Sequence, residues 1–466
     1  MKKLLTIFLG LALVLPLYSQ EAEFETGEYD DEAGEEVTNG DFITYEDEPS
    51  DEEEPAPEPG NNKYRPVKKK SDFARQHFEF GFDIGAGIDN GLAGLNDVLR
   101  KQIVFDLSKI AQGVPQEGTG LNFGLSFDLF MNVKNIPIGE GFWDFGFITN
   151  VDGGINVNMP KSMFTLVAEG NAGQHDTSGK ISAAGGIYTE IGLTGSAKYE
   201  VGGRILYVGL KPAIYTPAAY VKPSSGISYH LYTEKNGKEG LFLDTEGEIN
   251  VYIPTPFDNI EPGRFIFGPS GFDLSLEGEY ALFSFLDVGG SFSHIPFAPA
   301  VLTNVMKMGM KEFNLELAGE DFIGGKDQGV KEPDIPKLDF NDPVYEKNVK
   351  KEVHRLFRFD VYARYKPFNS ELLALIPNIG FSANVNKGDG KGYFNAGLEA
   401  RLNLINLFTI YVGSGYQEEV WKQRAGFNLN LRAFELDLEA ALRDQTFDGC
   451  FMGRGFGLNL GMRFGW

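Results

Sequence analysis

The segment FGLNLGMRFGW, residues 456–466, alternates without a slip. Phe456, Leu458, Leu460, Met462, Phe464 and Trp466 fall on one side, and Gly457, Asn459, Gly461, Arg463 and Gly465 on the other. Side chains of a β-strand have a period of two, so the segment makes a ribbon with one apolar and one small or polar face. A soluble sandwich could bury such a face equally well. What favours a membrane barrel is the recurrence of the same wall upstream, behind an export signal. Phe464 and Trp466 are then candidates for a C-terminal insertion signal read by the barrel-assembly machinery.

Working back through the chain, similar ribbons cover 434–442, 422–431, 407–416, 393–404, 379–385 and 357–365, and before them 310–317, 285–295, 272–282, 241–253, 226–232, 204–215, 181–193, 143–159 and 121–133. The first ribbon begins after His77, with Phe78, Phe80, Phe82, Ile84, Ala86 and Ile88 on one side and Asp83 on the other. Seventeen candidates exceed an even strand number by one, so 14–16 strands are expected, with 226–232 and 310–317 the weakest. Glycine, at 58 residues, is well above its usual share of about 7%. Barrel walls and turns use it this way.

Residues 1–19 carry Lys2 and Lys3, an apolar run from Leu4 to Leu15, and Ser19 before Gln20, the layout of a signal peptide. No second long apolar run follows, which excludes spanning by helices. Residues 20–76 form a different region. Between Glu21 and Asn62 there are 18 Asp and Glu and no Lys or Arg, so most of the net charge of −24 sits in one block that cannot bury enough surface to order itself. It ends in a basic patch of Lys63, Arg65, Lys68, Lys69 and Lys70 and is expected in the periplasm. Residues 77–466 are expected to form the barrel.

Two segments break the period of two. Leu95, Leu99, Ile103, Leu107 and Ile110 stand at helical spacing within 92–113, as for an amphipathic helix lining or plugging a lumen. Residues 160–172 read as a short helix started by Pro160. Short turns mark the periplasmic side of such barrels, which places the connections at 404–407 and 431–434 there. The charged stretch 318–354 then faces outward as a surface loop.

The run Pro160-Lys161-Ser162-Met163-Phe164-Thr165-Leu166-Val167-Ala168-Glu169-Gly170-Asn171, followed by Tyr188-Thr189-Glu190-Ile191-Gly192, resembles an uncharacterised family of outer-membrane barrels of diderm bacteria. The resemblance covers roughly 78–466. That family is similar in outline to the fatty-acid-transporter barrels, although the Asn-Pro-Ala signature of their early region is absent here. The resemblance implies location and fold, and no reaction.

Catalytic and metal signatures are missing. The five histidines, His77, His175, His230, His294 and His354, have no zinc-helix spacing, Cys450 is alone, and no phosphate-binding loop or nucleophile elbow occurs. Asn386-Lys387-Gly388-Asp389-Gly390 has the look of a calcium loop but reads as a hairpin turn. No cofactor is implied, and the acidic balance argues against nucleic acid.

The chemistry lies on the inward positions. With apolar faces toward outer-membrane lipid, the lumen receives Asp83, Asp128, Asp144 and Asp152 early in the chain, and Arg358, Arg364, Arg401, Arg432, Arg454 and Arg463 late, with Glu435, Asp437 and Glu439 among the arginines. One expectation is a transverse field that steers polar solutes. The other, favoured here, is a wall largely neutralised by cross-strand ion pairs. Trp143, Tyr207, Tyr365, Tyr393 and Tyr411 join Phe464 and Trp466 as candidates for aromatic girdles. The expectation is therefore a non-enzymatic barrel that passes small polar or amphipathic solutes. The alternatives are a surface or assembly barrel that binds a protein through its outer loops, and a soluble β-protein with a lipid-sized cavity.

Overall fold

The computed structural model describes residues 77–89, 114, 118–138, 141–169, 176–235, 238–256, 259–316, 340–404 and 407–466. The expected signal peptide, the acidic and basic N-terminal region, the 92–113 segment and most of the 318–354 stretch lie outside them.

The described chain is built from nineteen strands: β1 (Phe78–Asp89), β2 (Thr119–Ile138), β3 (Gly141–Met159), β4 (Asp176–Val201), β5 (Arg204–Val221), β6 (Gly226–Lys235), β7 (Lys238–Ile253), β8 (Gly271–Phe283), β9 (Leu286–Ala298), β10 (Ala300–Met308), β11 (Phe313–Glu316), β12 (Val344–Val353), β13 (Phe357–Tyr365), β14 (Leu373–Asn384), β15 (Lys391–Leu404), β16 (Phe408–Gln417), β17 (Val420–Leu431), β18 (Phe434–Asp444) and β19 (Gly455–Gly465). Three short helices interrupt them: α1 (Lys161–Glu169), α2 (Arg264–Phe267) and α3 (Phe447–Phe451). No helix among the described residues is long and apolar enough to cross a membrane.

All pairings are antiparallel, and they close. From β1 the ladder runs through β2, β3, β4, β5, β8, β9 and β13 to β19, and β19 returns to β1 over eleven residue pairs from Glu79↔Gly465 to Asp89↔Gly455. That circuit has fourteen strands. Near one rim β4 also pairs with β6, β6 with β7, and β7 with the end of β5, which splices two more strands into the ring and makes a closed sixteen-strand barrel. Closure leaves the ring no free edge, the requirement for a backbone surrounded by hydrocarbon.

The outer face carries the apolar half of each ribbon. Phe80, Ile84, Leu129, Phe147, Leu210, Phe292, Ile379, Leu398, Val412 and Leu458 all remain solvent-accessible with no protein layer over them. A contiguous apolar belt around a closed ring is far larger than a soluble monomer exposes, so lipid is what covers it.

The two rims differ. At one, connections are short: Val201 to Arg204, Phe283 to Leu286, Leu404 to Phe408 and Leu431 to Phe434. Outward aromatics gather there, with Phe78 against Trp466 at 4.9 Å, Phe80 against Phe464 at 5.3 Å, Phe283 against Phe285 at 5.3 Å and Trp143 against Tyr199 at 6.2 Å. This is an interfacial girdle. The other rim holds all three helices and the long excursions.

Two strands escaped the sequence. β10 has Ala300, Leu302, Asn304, Val305 and Met306 buried, so it is covered on both faces and shows no alternation. β12, Val-Tyr-Glu-Lys-Asn-Val-Lys-Lys-Glu-Val, reads as a charged loop, yet it pairs with β10 from Ala300↔Val353 to Lys307↔Val344. The stretch 318–354 is therefore not a loop throughout, because its last third is strand. The weaker candidates at 226–232 and 310–317 both hold strands, β6 and β11. Strands β6, β7, β10, β11 and β12 form a crown on the long-loop rim. Its core is Tyr220, Tyr252, Leu302, Val305 and Val353, packed against Tyr188 and Val349.

Candidate functional site: a charged lumen

Alternation places the polar half of each ribbon inside, where two chambers of about 1510 and 1650 Å³ share Asp152, His294 and Arg358 in their linings. The first lies toward β3, β5, β8, β9 and β13, the second toward β1 to β4 and β14 to β19.

Most expected lumen residues are in these walls. Asp144 lines the first chamber, accepts a hydrogen bond from the Asn135 backbone N–H at 2.8 Å and lies 3.9 Å from Lys198. Arg364 lines the same chamber and bridges Glu279 at 3.2 Å and Asp287 at 3.6 Å. In the second chamber Arg463 meets Glu435 at 3.4 Å, Arg424 meets Glu399 at 2.6 Å and Glu439 at 3.8 Å, and Arg401 pairs with Glu399. Asp437 accepts from the Tyr411 hydroxyl at 3.0 Å. The basic flank is thus neutralised by carboxylates of its own strands, as cross-strand pairing requires.

The acidic flank differs. Asp83 and Asp128 are direct cross-strand neighbours, Asp152 lies on the next strand, and none of the three makes an ion pair among the described residues. Like charges directly opposite each other are destabilising in a sheet, so this arrangement leaves a negative field over one side of the second chamber.

Two arginines lie elsewhere than expected. Arg432 is exposed in the tight turn between β17 and β18, because the hairpin turns one residue before a lumen position. Arg454 precedes β19 at the opposite rim, 4.0 Å from Asp444, and lines neither chamber. Tyr207, Tyr393 and Tyr411 line the lumen rather than the girdle. Tyr207 donates to Glu277 at 2.5 Å and Tyr411 to Asp437, partners that hydrocarbon could not supply.

The residue that organises the third of the lumen nearest the long-loop rim is Arg355, in the link between β12 and β13. Its Nε and one terminal nitrogen each donate to Asp273 at 2.8 Å, its other terminal nitrogen donates to Glu190, and its guanidinium lies 5.1 Å from the Tyr215 ring centre. Glu190 also meets Lys211 at 2.8 Å. Three residues on, Arg358 is held at 2.7 Å by Glu418. Glu418 is at the tip of the β16–β17 hairpin, where it and Glu419 have φ of +51° and +69°. These are two left-handed non-glycine residues in succession, a strained turn that aims a carboxylate at Arg358. His294, at φ +56°, bulges inward from β9, and its Nδ1 lies 3.0 Å from the Leu356 carbonyl. Arg355, Glu190, Asp273, Glu418 and His294 were not expected as lumen residues from sequence. Arg355 lies between strands, and a bulge or a turn carries no periodicity.

The 386–390 segment is the turn between β14 and β15. Asp389 accepts from Lys351 at 2.5 Å and from Tyr220 and Ser224 at 3.0 Å each, tying this hairpin to the crown. Among the described residues no group of three or more His, Cys, Asp or Glu is placed to hold a metal ion. Burial raises the Asp389 carboxyl, but the hydrogen bonds and charge of Lys351, with Ser224 and Tyr220, outweigh it and hold the group below the ordinary carboxylate range. A carboxyl depressed by folding stabilises above its unfolded pKa, about 3.9, and loses that contribution as pH falls through the folded value. Protection of the 384–391 amides, taken as exchange relative to the intrinsic rate at each pH, should therefore persist at pH 5 and fall only in stronger acid, whereas Asp389→Asn should lower it at neutral pH.

Residues 73–278 match the model of DUF5723, a family of unknown function. The resemblance to an uncharacterised barrel family is thus met over that part of the chain. No curated protein matches. Similar solved structures include the Ralstonia pickettii toluene transporter TbuX, at 9% identity over 84% of this chain and 90% of that one with a TM-score of 0.40. A Pseudomonas aeruginosa FadL homologue is 11% identical over 83% and 90%, with a TM-score of 0.37. The translocator domain of the Neisseria meningitidis autotransporter NalP is 8% identical over 84% and 89%, with a TM-score of 0.29.

Proposed function

We propose that the protein is an outer-membrane channel or transporter for small polar or amphipathic solutes, with its short turns and N-terminal region in the periplasm, and that it carries out no chemical reaction on what it passes. The observation that supports this most is the lumen itself. Its two chambers meet at Asp152, His294 and Arg358, and their walls are ionisable rather than packed with aliphatic side chains. A barrel serving only as a scaffold could fill that space with apolar side chains at native density. The unpaired Asp83, Asp128 and Asp152 flank, facing a neutralised basic flank, gives the path a transverse polarity suited to solutes bearing a charged or hydrogen-bonding group.

Planar-bilayer conductance of the purified barrel tests this. Arg358→Ala, which removes one of the three side chains shared by both chambers, should raise single-channel conductance, while Arg454→Ala, outside both, should leave it unchanged. A barrel that stays silent in the bilayer, even with 92–113 deleted, removes the proposal.

A second reading, a surface barrel that binds a protein partner, is favoured by one feature. The crown stands on the outward rim with its own buried core and presents exposed Lys350 and Tyr345 on β12. Photo-crosslinkers at Lys350 that recover no partner from intact cells would count against it.

A further inference from the structure

Between β7 and β8 the chain leaves the wall, makes the single turn α2 and returns. The local sequence dictates that shape. Pro262 and Gly263 open the turn, with the Ile266 and Phe267 N–H groups donating to the Gly263 carbonyl at 3.2 and 2.8 Å, and Gly268-Pro269 ends it. The Thr255 hydroxyl secures the approach, donating to the Asn259 carbonyl at 2.9 Å and accepting from the Glu261 N–H at 3.1 Å.

The turn does not lie over the lumen. It packs on the outer, lipid-facing side of β4 and β5, where two hydroxyls point the wrong way for hydrocarbon. Thr189 and Thr216 share the outward parity of Ile191 and Ile214, are paired to each other across the ladder, and are buried. An unpaired hydroxyl in lipid costs free energy, and so do the carbonyls at the end of a helix. Each solves the other's problem: the Thr189 hydroxyl donates to the Phe265 carbonyl at 2.6 Å and the Thr216 hydroxyl to the Ile266 carbonyl at 3.2 Å. The turn then presents an apolar outer surface, with Phe267 76% exposed, Ile260 59% and Ile266 41%, next to Ile214 and Phe272 of the belt. The ion-paired Glu261 and Arg264, 2.7 Å apart, accompany it.

Height along the wall identifies what covers this surface. β5 starts at the short-turn rim, and Thr216 comes eleven residues after Ile205. At about 3.3 Å per residue and a tilt of about 40°, that is about 28 Å, against an apolar belt of about 25 Å in such barrels. The turn thus sits where the belt ends on the outward side, opposite the aromatic girdle of the other rim. We propose that residues 259–268 are an outer-leaflet anchor, a clasp folded back over the lipid-facing wall whose Ile260, Ile266 and Phe267 enter the acyl-chain region just beneath the headgroups while Glu261 and Arg264 stay at headgroup level. The occupant of this surface is lipid, by continuity with the belt. The clasp fixes the depth of the barrel on the long-loop side, where it joins the outward Phe272–Phe297 ring pair at 5.8 Å, and it does so whether or not a solute passes through the lumen.

Depth measurement tests this. In a Cys450→Ser background, a bimane fluorophore is attached at Phe267→Cys, at Leu398→Cys in the belt and at Lys350→Cys in the crown, and each protein is placed in phosphatidylcholine vesicles containing brominated lipid. Expected is quenching at 267 several-fold stronger than at 350, and strongest with bromine near the headgroup end of the chain rather than its tail. Quenching at 267 no greater than at 350, with equal access to aqueous iodide, overturns the proposal. So does efficient disulfide formation between copies of the unlabelled Phe267→Cys variant, which would make the surface a protein interface. Folding of each variant is checked first by its heat-modifiable migration, so a misfolded variant is not scored. Because the readout is depth and not conductance, a silent channel leaves this result intact.

Discussion

Replacing Arg355 with methionine should lower the stability of the folded barrel by about 3–5 kcal/mol, the usual cost of removing one partner from a buried ionic cluster. Arg355, Glu190 and Asp273 are each no more than 3% exposed. The guanidinium engages both Asp273 oxygens and Glu190 at once, while Lys211 reaches only Glu190. Without Arg355, Asp273 keeps its burial and loses its counter-charge. Arg355→Lys should recover only part of the loss, since an ammonium cannot reproduce the fork that grips Asp273. The double variant Arg355→Met, Asp273→Asn should recover more than Arg355→Lys, because Glu190 keeps Lys211 at 2.8 Å and no uncompensated charge remains. Urea unfolding in detergent, followed by heat-modifiable migration, measures all three. If the double variant proves no more stable than Arg355→Met, the penalty is not electrostatic.

The position of Arg355 explains what sequence could and could not reveal. A period of two assigns sidedness wherever a strand is half buried between unlike media, and here those media are lipid and a wet lumen. Asp83, Asp128, Asp152, Arg358, Arg364 and Arg463 were therefore legible as inward residues from their spacing alone. The pattern fails where both faces meet the same environment. β10 is buried on both sides within the crown and β12 is largely exposed, so neither alternates. It fails again where the chain stops being a strand: Arg355 in a link, Glu418 at a hairpin tip and His294 on a bulge all gain their places from tertiary docking. Arg432 shows the opposite error, since a parity correct for the strand was carried one residue too far into its turn. The short helix at 160–172 was legible as α1 through Pro160, whereas α2, at four residues, is below the length at which periodicity exists.

Valine at Gly153 or Gly185 should abolish folding of the barrel into its heat-modifiable form. These two glycines lie on adjacent strands, on outward positions of β3 and β4, with φ of +148° and +134°. A Cβ at Gly153 would fall within 3.0 Å of the Gly186 carbonyl, and one at Gly185 within 3.0 Å of the Gly154 carbonyl, so the obstruction is reciprocal and made of backbone that has nowhere to move. The ladder here is continuous, Gly153 opposite Ile187 and Ile155 opposite Gly185, so relieving either clash would break pairing within the ring. A β-branched residue adds the strain of a conformation that L side chains avoid, roughly 1–2 kcal/mol before any clash is counted. Gly124 provides the contrast. It faces the lumen one strand away, opposite Gly87 and Gly154, with nothing nearer to its added Cβ than the Arg443 guanidinium at 3.6 Å. Gly124→Ala should fold with the yield of the unmodified chain. The two kinds of glycine thus serve different ends: at 153 and 185 they let two strands approach closely, and at 124 an absent side chain leaves space in the second chamber. A Gly153→Val barrel that folds as well as Gly124→Ala would show that the close approach of β3 and β4 is not needed to close the ring.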